Sequence, residues 1–388
     1  MISDDALSAF ETCKAFGARI EKTDGKFIVE GFGGRPAIPE DIINVGNSGT
    51  TLRLAVATAG LIDGCTVFTG DSQIRKRPLA PLIEAINRLG AEAYSTRGNG
   101  MAPVVVRGRL KGGVTELDSV TSQYLSSLLI NCPLVENDTE IILTRLNEIP
   151  YVDITLWWLD KQGIIYERTG YKSFKIKGGQ HYKPFSLTIP GDFSSATFFA
   201  VQAAVSGGEF LLKNLDMTDP QGDKAIFAIL EKMGARVEHK ADGILIIGNK
   251  LTGIDIDMNA IPDALPAMAV AGCFAEGETR LLNVPQARLK ETDRISVMCS
   301  ELKKLGADIE ELPDGLIIRK SKLKGCRVNG HYDHRVVMSL AVAGLNTEGI
   351  TEIDTAEAIN VTFPEFTGLM KSCGANMELM DQEAGGLI

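Results

Sequence analysis

A glycine that closes a helix-like stretch returns at Gly17, Gly90, Gly163, Gly234, Gly306 and Gly374, at intervals of about 70 residues. Ahead of it runs an amphipathic segment such as LAPLIEAINRLGA, AIFAILEKMGA or VMCSELKKLGA, whose apolar residues mark one face of a helix. Behind most copies comes a strand–turn–strand pattern, for example ARVEHKADGILIIG or ADIEELPDGLIIRK. A second helix alternates with the first, rich in small residues and followed by a glycine turn and a β-rich run, as in TLRLAVATAGLIDGCTVFTG and SATFFAVQAAVSGGEFLLKN. It starts near Ser48, Ser122, Ser195, Ala264 and His334. The glycine-ended helix thus occurs six times and its partner five times, which puts the expected missing partner about 25 residues before Met1.

A repeat of this size carries two helices and several strands, and six of them are too large for one hydrophobic core. The expectation is an α/β protein of two domains, residues 1–190 and 191–388, with three repeats each, the first repeat incomplete, and the boundary near Pro190–Gly191. Each capping glycine is expected to take the left-handed conformation that ends a helix. The pairs Asp242–Gly243 and Asp314–Gly315 fall where two-residue hairpin turns are expected.

Composition narrows the function classes. The net charge of −10 disfavours nucleic acid as a partner, since a basic face would be needed. No apolar run approaches the ~20 residues that span a bilayer, and MISDDALSAF lacks the basic and apolar parts of a signal peptide. Seven scattered cysteines without a C-x-x-C pair argue for a reduced, cytoplasmic setting, and the four histidines form no metal-ligand pattern. The expectation is a protein without bound metal or cofactor.

Five places break the logic of the repeat with polar or charged groups at helix starts. In GNSGTTLR, Asn47, Ser48 and Gly49 precede a helix, and Arg53 shares its face; this reads either as an anion seat or as an ordinary cap. In GDSQIRKRPLAPL, Arg75, Lys76 and Arg77 crowd before Pro78, which is expected to open a helix; a bound anion would relieve their repulsion, while a solvated basic loop explains them equally. Thr121, Ser122 and Gln123 stand together at another start, where capping explains one of them and a phosphate or polyol explains all three. In RLKETDRIS, Glu291 and Arg294, and likewise Lys290 and Asp293, are three apart, as helix salt bridges would be, and Arg288 adds a further charge. Asp333, His334 and Arg335 open an otherwise apolar helix, with Asp263 at the equivalent place of the preceding repeat, a cap or a general base. Arg53, Arg77, Lys290, Arg294 and Arg335 all lie near helix starts of a net-acidic chain, which implies small polyanionic ligands held between the domains.

The motifs GNSGTTLR, RKRPL, TSQ, PYVDITL, GDFSSA, PDALPA, LKETDR, DHR and TFPEF, in this order, closely resemble the 5-enolpyruvylshikimate-3-phosphate (EPSP) synthase family of enolpyruvyl transferases, over essentially the whole chain. The resemblance implies an inside-out α/β barrel in each of two domains, three βαβαββ-type repeats per domain, helices inside and sheets outside. It implies transfer of the enolpyruvyl group of phosphoenolpyruvate to the 5-hydroxyl of shikimate 3-phosphate, with release of phosphate, on the route to chorismate and the aromatic amino acids. By this resemblance the first domain takes shikimate 3-phosphate and the second phosphoenolpyruvate and the acid and base, with the cleft between them. Asn47, Gly49, Arg77, Gln123, Arg294 and Arg335 would hold phosphoenolpyruvate. Thr121, Ser122, Gln123, Tyr151, Asp263, Gln286 and Lys290 would hold shikimate 3-phosphate. Asp263 would be the base and Glu291 the acid, in a monomer.

Against the family pattern, a Pro-Gly-Ser-Lys-Ser block that supplies a substrate lysine is absent, and it coincides with the helix missing from the repeat count. The expectation is that the natural protein begins upstream, and that the chain as written turns over poorly. Glu148 stands where many members have Ser, Gln286 where some have Asn, and Val361 where some have Lys. The sister transferase acting on UDP-N-acetylglucosamine is the alternative within enzymes, but its Cys-bearing loop has no counterpart in Asp71 to Lys76. A binding-only remnant of the synthase is the alternative outside them.

Overall fold

The computed structural model describes residues 2–380. Its helices in chain order are α1 (Asp4–Ala15), α2 (Gly49–Ala59), α3 (Ala80–Arg88), α4 (Ser122–Asn131), α5 (Ile149–Gln162), α6 (Phe193–Ser206), α7 (Ala225–Met233), α8 (Leu265–Phe274), α9 (Arg294–Lys304), α10 (His334–Leu345) and α11 (Phe366–Ser372). The odd-numbered helices up to α11 are the glycine-ended ones. All six glycines, Gly17, Gly90, Gly163, Gly234, Gly306 and Gly374, have positive φ, between 70° and 120°. A Cβ disfavours that conformation, so glycine is what lets the chain leave the helix and turn into a strand.

Three sheets share one topology. In the first, Ile43–Asn44 pairs in parallel with Cys65–Thr69, which pairs antiparallel with Val104–Arg107, itself flanked by Glu92–Ser95. Gly113–Ser119, Thr139–Leu146, Ser173–Ile176 and Tyr166–Thr169 repeat that order, and so do Asp255–Asp257, Glu278–Leu282, Gly315–Arg319 and Asp308–Leu312. Parallel neighbours need a crossover, and the small-residue helix provides it. The repeat is therefore β-α-β-α-β-β.

The small-residue helices are the inner layer. In α8 every residue from Leu265 to Cys273 is buried, and α6, α8 and α10 pack on one another, as do α2 and α4. Strands such as Gly243–Ile247 alternate between buried and part-exposed positions, so each sheet turns one face outward. Two separate cores result, one around Leu52, Phe68, Leu125 and Phe174, the other around Phe198, Phe227, Met268 and Phe366. Each fully buried Leu, Phe or Met contributes about 1.5–3 kcal/mol through removal from water. The chain accordingly divides into two compact units. One holds Asp4–Ile189, together with a short return at Thr218–Gly222 that the repeat spacing does not reveal; the other holds, among the described residues, 2–3, Pro190–Met217 and 223–380.

Two local expectations need correction. The closing pairs of the later hairpins are Lys240–Gly243 and Leu312–Gly315, so the turns are Ala241–Asp242 and Pro313–Asp314, and each glycine is the first residue of a strand. Glycine is required there because a Cβ would run into the carbonyl oxygen of the neighbouring strand, that of Leu212 or Leu281. The Asp-Gly turn occurs instead at Asp24–Gly25, where both residues have positive φ. Pro78 does not open α3. Arg75 and Lys76 sit in a short 3₁₀ turn, Ile74–Lys76, and α3 begins at Ala80, after an isolated bridge of Pro78 to Met101.

Candidate active site

The first cluster lies in the unit Asp4–Ile189, at the starts of α2 and α4. Ser48 caps α2, its Oγ accepting from the Thr51 amide at 3.3 Å. Asn47 is fixed beside it, donating through Nδ2 to Asp71 Oδ2 at 2.6 Å and Gln73 Oε1 at 2.5 Å. Gly49 is the first residue of the helix, and the Arg77 guanidinium packs where its Cβ would stand. Arg53, buried one turn on, donates to Gln123 Oε1 at 2.6 Å, and Gln123 Nε2 donates to Thr50 Oγ1 at 2.8 Å. These two bonds tie α2 to α4.

Thr121 precedes α4 but does not cap it with its side chain. It donates instead to Glu148 Oε2 at 2.9 Å, and the same oxygen accepts from the Ser122 amide at 3.1 Å and Ser122 Oγ at 3.0 Å. Glu148 is buried and left-handed, with φ 61°, immediately before α5. Tyr151 lies in the first turn of α5, its amide bonded to the Glu148 carbonyl at 3.0 Å.

The second cluster lies wholly in the other unit, at the starts of α8, α9 and α10. Its centre is Arg294, whose side chain is 1% exposed. Nη1 donates to Asp263 Oδ1 at 2.8 Å, Nη2 to Glu291 Oε2 at 2.5 Å and Asp333 Oδ1 at 3.2 Å, and Nε to Asp333 Oδ2 at 2.8 Å. A buried guanidinium of this kind is tolerable only because its donors meet carboxylates. Asp333 caps α10, Oδ1 accepting from the Arg335 amide at 2.9 Å, and so locks Arg294 to that helix. Asp263, in the turn Pro262–Ala264 ahead of α8, also faces Arg335 Nη2 at 3.2 Å and Lys290 Nζ at 3.6 Å.

Burial alone would raise the Asp263 pKa, but Arg335, Lys290 and Arg294 outweigh it and hold the carboxyl well below the usual range. His334 is sealed behind this cluster. Burial, which disfavours the imidazolium, pulls its pKa down to about 4 despite the pull of Glu291 and Asp333, and its Nδ1 finds no partner among the described residues.

The structure thus brings Asp263, Lys290, Glu291, Arg294 and Arg335 together in one unit, and Asn47, Gly49, Arg77, Thr121, Ser122, Gln123 and Tyr151 lie at the α2, α4 and α5 starts of the other. Gln286 sits near the first of these groups but is buried, with Nε2 on the Asn259 carbonyl at 3.2 Å. The spacing of Lys290 and Asp293 does not make a pair. Asp293 caps α9 and binds Arg288 at 2.7 Å, leaving Lys290 to turn to Asp263. Only its place between a glycine and a basic run marks Asp71 in the sequence, and the DHR motif marks Asp333 without showing that it holds Arg294. Among the described residues, no group of His, Cys, Asp or Glu is placed to hold a metal ion, and no helix is long and apolar enough to cross a membrane.

Comparison with known proteins places the chain among similar sequences. The family described as EPSP synthase (3-phosphoshikimate 1-carboxyvinyltransferase) matches residues 1–370. A 3-phosphoshikimate 1-carboxyvinyltransferase of Acetivibrio thermocellus is 71% identical over 377 residues, 97% of this chain and 89% of the relative. One from Ruminiclostridium cellulolyticum is 63% identical over 380 residues, 98% and 90% of the two chains. Among solved structures, an EPSP synthase from Acinetobacter baumannii superposes with a TM-score of 0.78 at 29% identity, covering 96% of this chain and 88% of that one.

Proposed function

The chain belongs to the EPSP synthase family and has that family's transferase activity in the shikimate pathway, and we propose that its two clusters divide the reaction between them. The groups at the starts of α2, α4 and α5 take shikimate 3-phosphate, through Thr121, Ser122, Gln123 and Tyr151, and one side of phosphoenolpyruvate, through Asn47, Gly49, Arg77 and Gln123. Arg335, Arg294 and Lys290 supply the cations that meet carboxylate and phosphate, with Gln286 and Asp263 toward the sugar ring. Supporting this division, the first cluster sets hydroxyl and amide donors at helix starts beside Arg53 and Arg77, suited to a polyol and an anion, while the second gathers three cations with the candidate acid and base.

The observation that carries the mechanism is that one guanidinium, Arg294, holds both Asp263 and Glu291, at 2.8 and 2.5 Å. A base and an acid fixed on the same rigid fork keep a constant spacing. Glu291, ionised beside Arg294 at rest, takes up a proton as the substrates bind and gives it to the methylene carbon of phosphoenolpyruvate, which makes the adjacent carbon electrophilic. Asp263 takes the proton of the 5-hydroxyl as that oxygen attacks, and a tetrahedral ketal phosphate forms. Glu291, left as a carboxylate by the first step, takes a proton back from the new methyl group, the carbon–oxygen bond to phosphate breaks, and the cations stabilise the charge of the departing phosphate. Anionic substrates also draw Arg335 and Lys290 away from Asp263, and with fewer cations upon it the carboxylate becomes a better base.

The test is the reaction in deuterium oxide. Wild type should place deuterium in the product's methylene group, since the transient methyl loses any one of its three hydrogens. Glu291→Gln should release phosphate far more slowly and take up deuterium at a correspondingly low rate. Undiminished uptake in that variant would remove Glu291 from the role. We take the enzyme further to be a cytoplasmic monomer; seven free thiols fit a reducing compartment.

A further inference from the structure

Glu148 fills the anion seat at the start of α4 with the protein's own charge. One oxygen of its carboxylate collects three donors, Thr121 Oγ1 at 2.9 Å, Ser122 Oγ at 3.0 Å and the Ser122 amide at 3.1 Å. That amide is one of the first-turn N–H groups a helix cannot satisfy internally, and it lies at the positive end of the helix dipole. Two hydroxyls and one such amide converging on a single oxygen are also what a phosphate oxygen would ask for. The carboxylate is 1% exposed as a residue, so it is bound here and not passing through from solvent. Its backbone is left-handed, φ 61° and ψ 42°, a conformation that a side chain with a Cβ disfavours. The chain tolerates this strain at the residue that reaches into the seat.

We propose that Glu148 is a built-in competitor for this seat, a specificity-determining residue whose carboxylate must leave Thr121 and Ser122 before the substrate's phosphate can enter. The proposal rests on the reading that Thr121 and Ser122 hold shikimate 3-phosphate. A phosphate dianion and a carboxylate cannot share three donors, because like charges at hydrogen-bond separation repel strongly in a buried site. Binding is therefore an exchange, and it favours ligands with enough charge to win it. A neutral hydroxyl in the same place gains too little from the three donors to displace a carboxylate, so the seat discriminates against unphosphorylated shikimate.

Glu148→Gln keeps shape and acceptor but removes the charge; Glu148→Ser empties the seat. Titration calorimetry with shikimate 3-phosphate on the full chain, together with KM for each substrate, tests the idea. Both variants should bind shikimate 3-phosphate about tenfold more tightly or better, with KM for phosphoenolpyruvate unchanged, and inorganic phosphate should compete in Glu148→Ser far better than in wild type. Unchanged or weaker binding in folded variants overturns the proposal. Should Glu148→Ser fail to fold, Glu148→Asn, at ease in a left-handed backbone, carries the same test. Ser122→Ala separates the two levels. If it weakens shikimate 3-phosphate while Glu148→Gln does not tighten it, only the competitor role falls; if it changes nothing, the seat itself was misplaced.

Discussion

Arg294 Nε donates to Asp333 Oδ2 at 2.8 Å, and the two side chains are 1% and 0% exposed. This fully buried ion pair joins the first residue of α9 to the residue that caps α10. Asp263 binds Nη1 of the same guanidinium and Glu291 shares Nη2 with Asp333, so the geometry of the candidate acid and base depends on a third carboxylate.

Removing Asp333 should therefore cost stability and activity together. Asp333→Ala leaves Nε of a buried guanidinium without its acceptor, although Asp263 and Glu291 stay on the other two nitrogens; the loss is about 1–3 kcal/mol, and a helix cap worth about another 1 kcal/mol goes with it. Asp333→Asn retains a capping oxygen and should lose less. Urea denaturation midpoints give the comparison, and an Asp333→Ala protein of near wild-type stability would show that the pair is not the anchor described.

Asp263→Asn is expected to fold normally and to lower kcat by about 10²–10⁴, the usual contribution of a positioned general base. Its three cations lose a competitor, so phosphoenolpyruvate should bind no more weakly than to wild type. Stopped-flow phosphate release and calorimetry measure the two effects separately. A kcat above a tenth of wild type would rule out the base assignment.

Acid stability should reveal His334. Its pKa of about 4 in the fold lies below the ~6.5 of the unfolded chain, so the unfolded state takes up the proton first as pH falls. Stability from the neutral, buried imidazole is complete above about pH 6.5 and is lost as pH falls toward 4, about 3 kcal/mol in all. Asp263, also depressed, adds a separate loss that begins only below about pH 4, the unfolded carboxyl value. Unfolding free energy against pH for wild type and His334→Gln should differ in slope between pH 6.5 and 4; identical slopes would contradict the buried neutral state.

Gly49→Ala should act on binding more than on stability. The new Cβ meets the Arg77 guanidinium, the mobile end of a long side chain that can move aside. The melting temperature should shift little, while KM for phosphoenolpyruvate rises about tenfold as Arg77 loses its place. An unaltered KM would remove this pair from the phosphoenolpyruvate site.

Gly315→Ala presents the opposite case. Its Cβ meets the Leu281 carbonyl of the paired strand, backbone that has nowhere to go. A loss of at least about 2 kcal/mol in chemical denaturation is expected, in the range of forced overpacking.

The repeat and its α/β class were legible in the sequence because they depend on local chemistry. Six glycines can be found by eye since a left-handed helix end needs one, and amphipathic spacing marks the helices on either side. Hairpin register was not legible. Gly243 and Gly315 are glycines because of Leu212 and Leu281, which lie 31 and 34 positions earlier in the chain, and no local pattern carries that information. The same limit applies at the candidate site. LKETDR and DHR announce charge, but whether Arg294 faces solvent, ligand or three carboxylates depends on contacts with Asp263 and Asp333, 31 and 39 positions away. Glu148 could be read as an unwelcome charge near a phosphate seat; that it occupies the seat follows only from the approach of α5 to α4.

The Arg294 cluster sets three acids, Asp263, Glu291 and Asp333, against three bases, Lys290, Arg294 and Arg335. Before any substrate arrives this part of the molecule is nearly electroneutral, so an incoming anion trades places with a carboxylate instead of falling into an exposed positive well. Long-range attraction is weak under those conditions, and capture should depend only modestly on ionic strength. The benefit comes at the end of the cycle. On the proposed mechanism Asp263 holds the hydroxyl proton until phosphate departs, and once it has given that proton up it stands close enough to Arg335 and Lys290 to take them back.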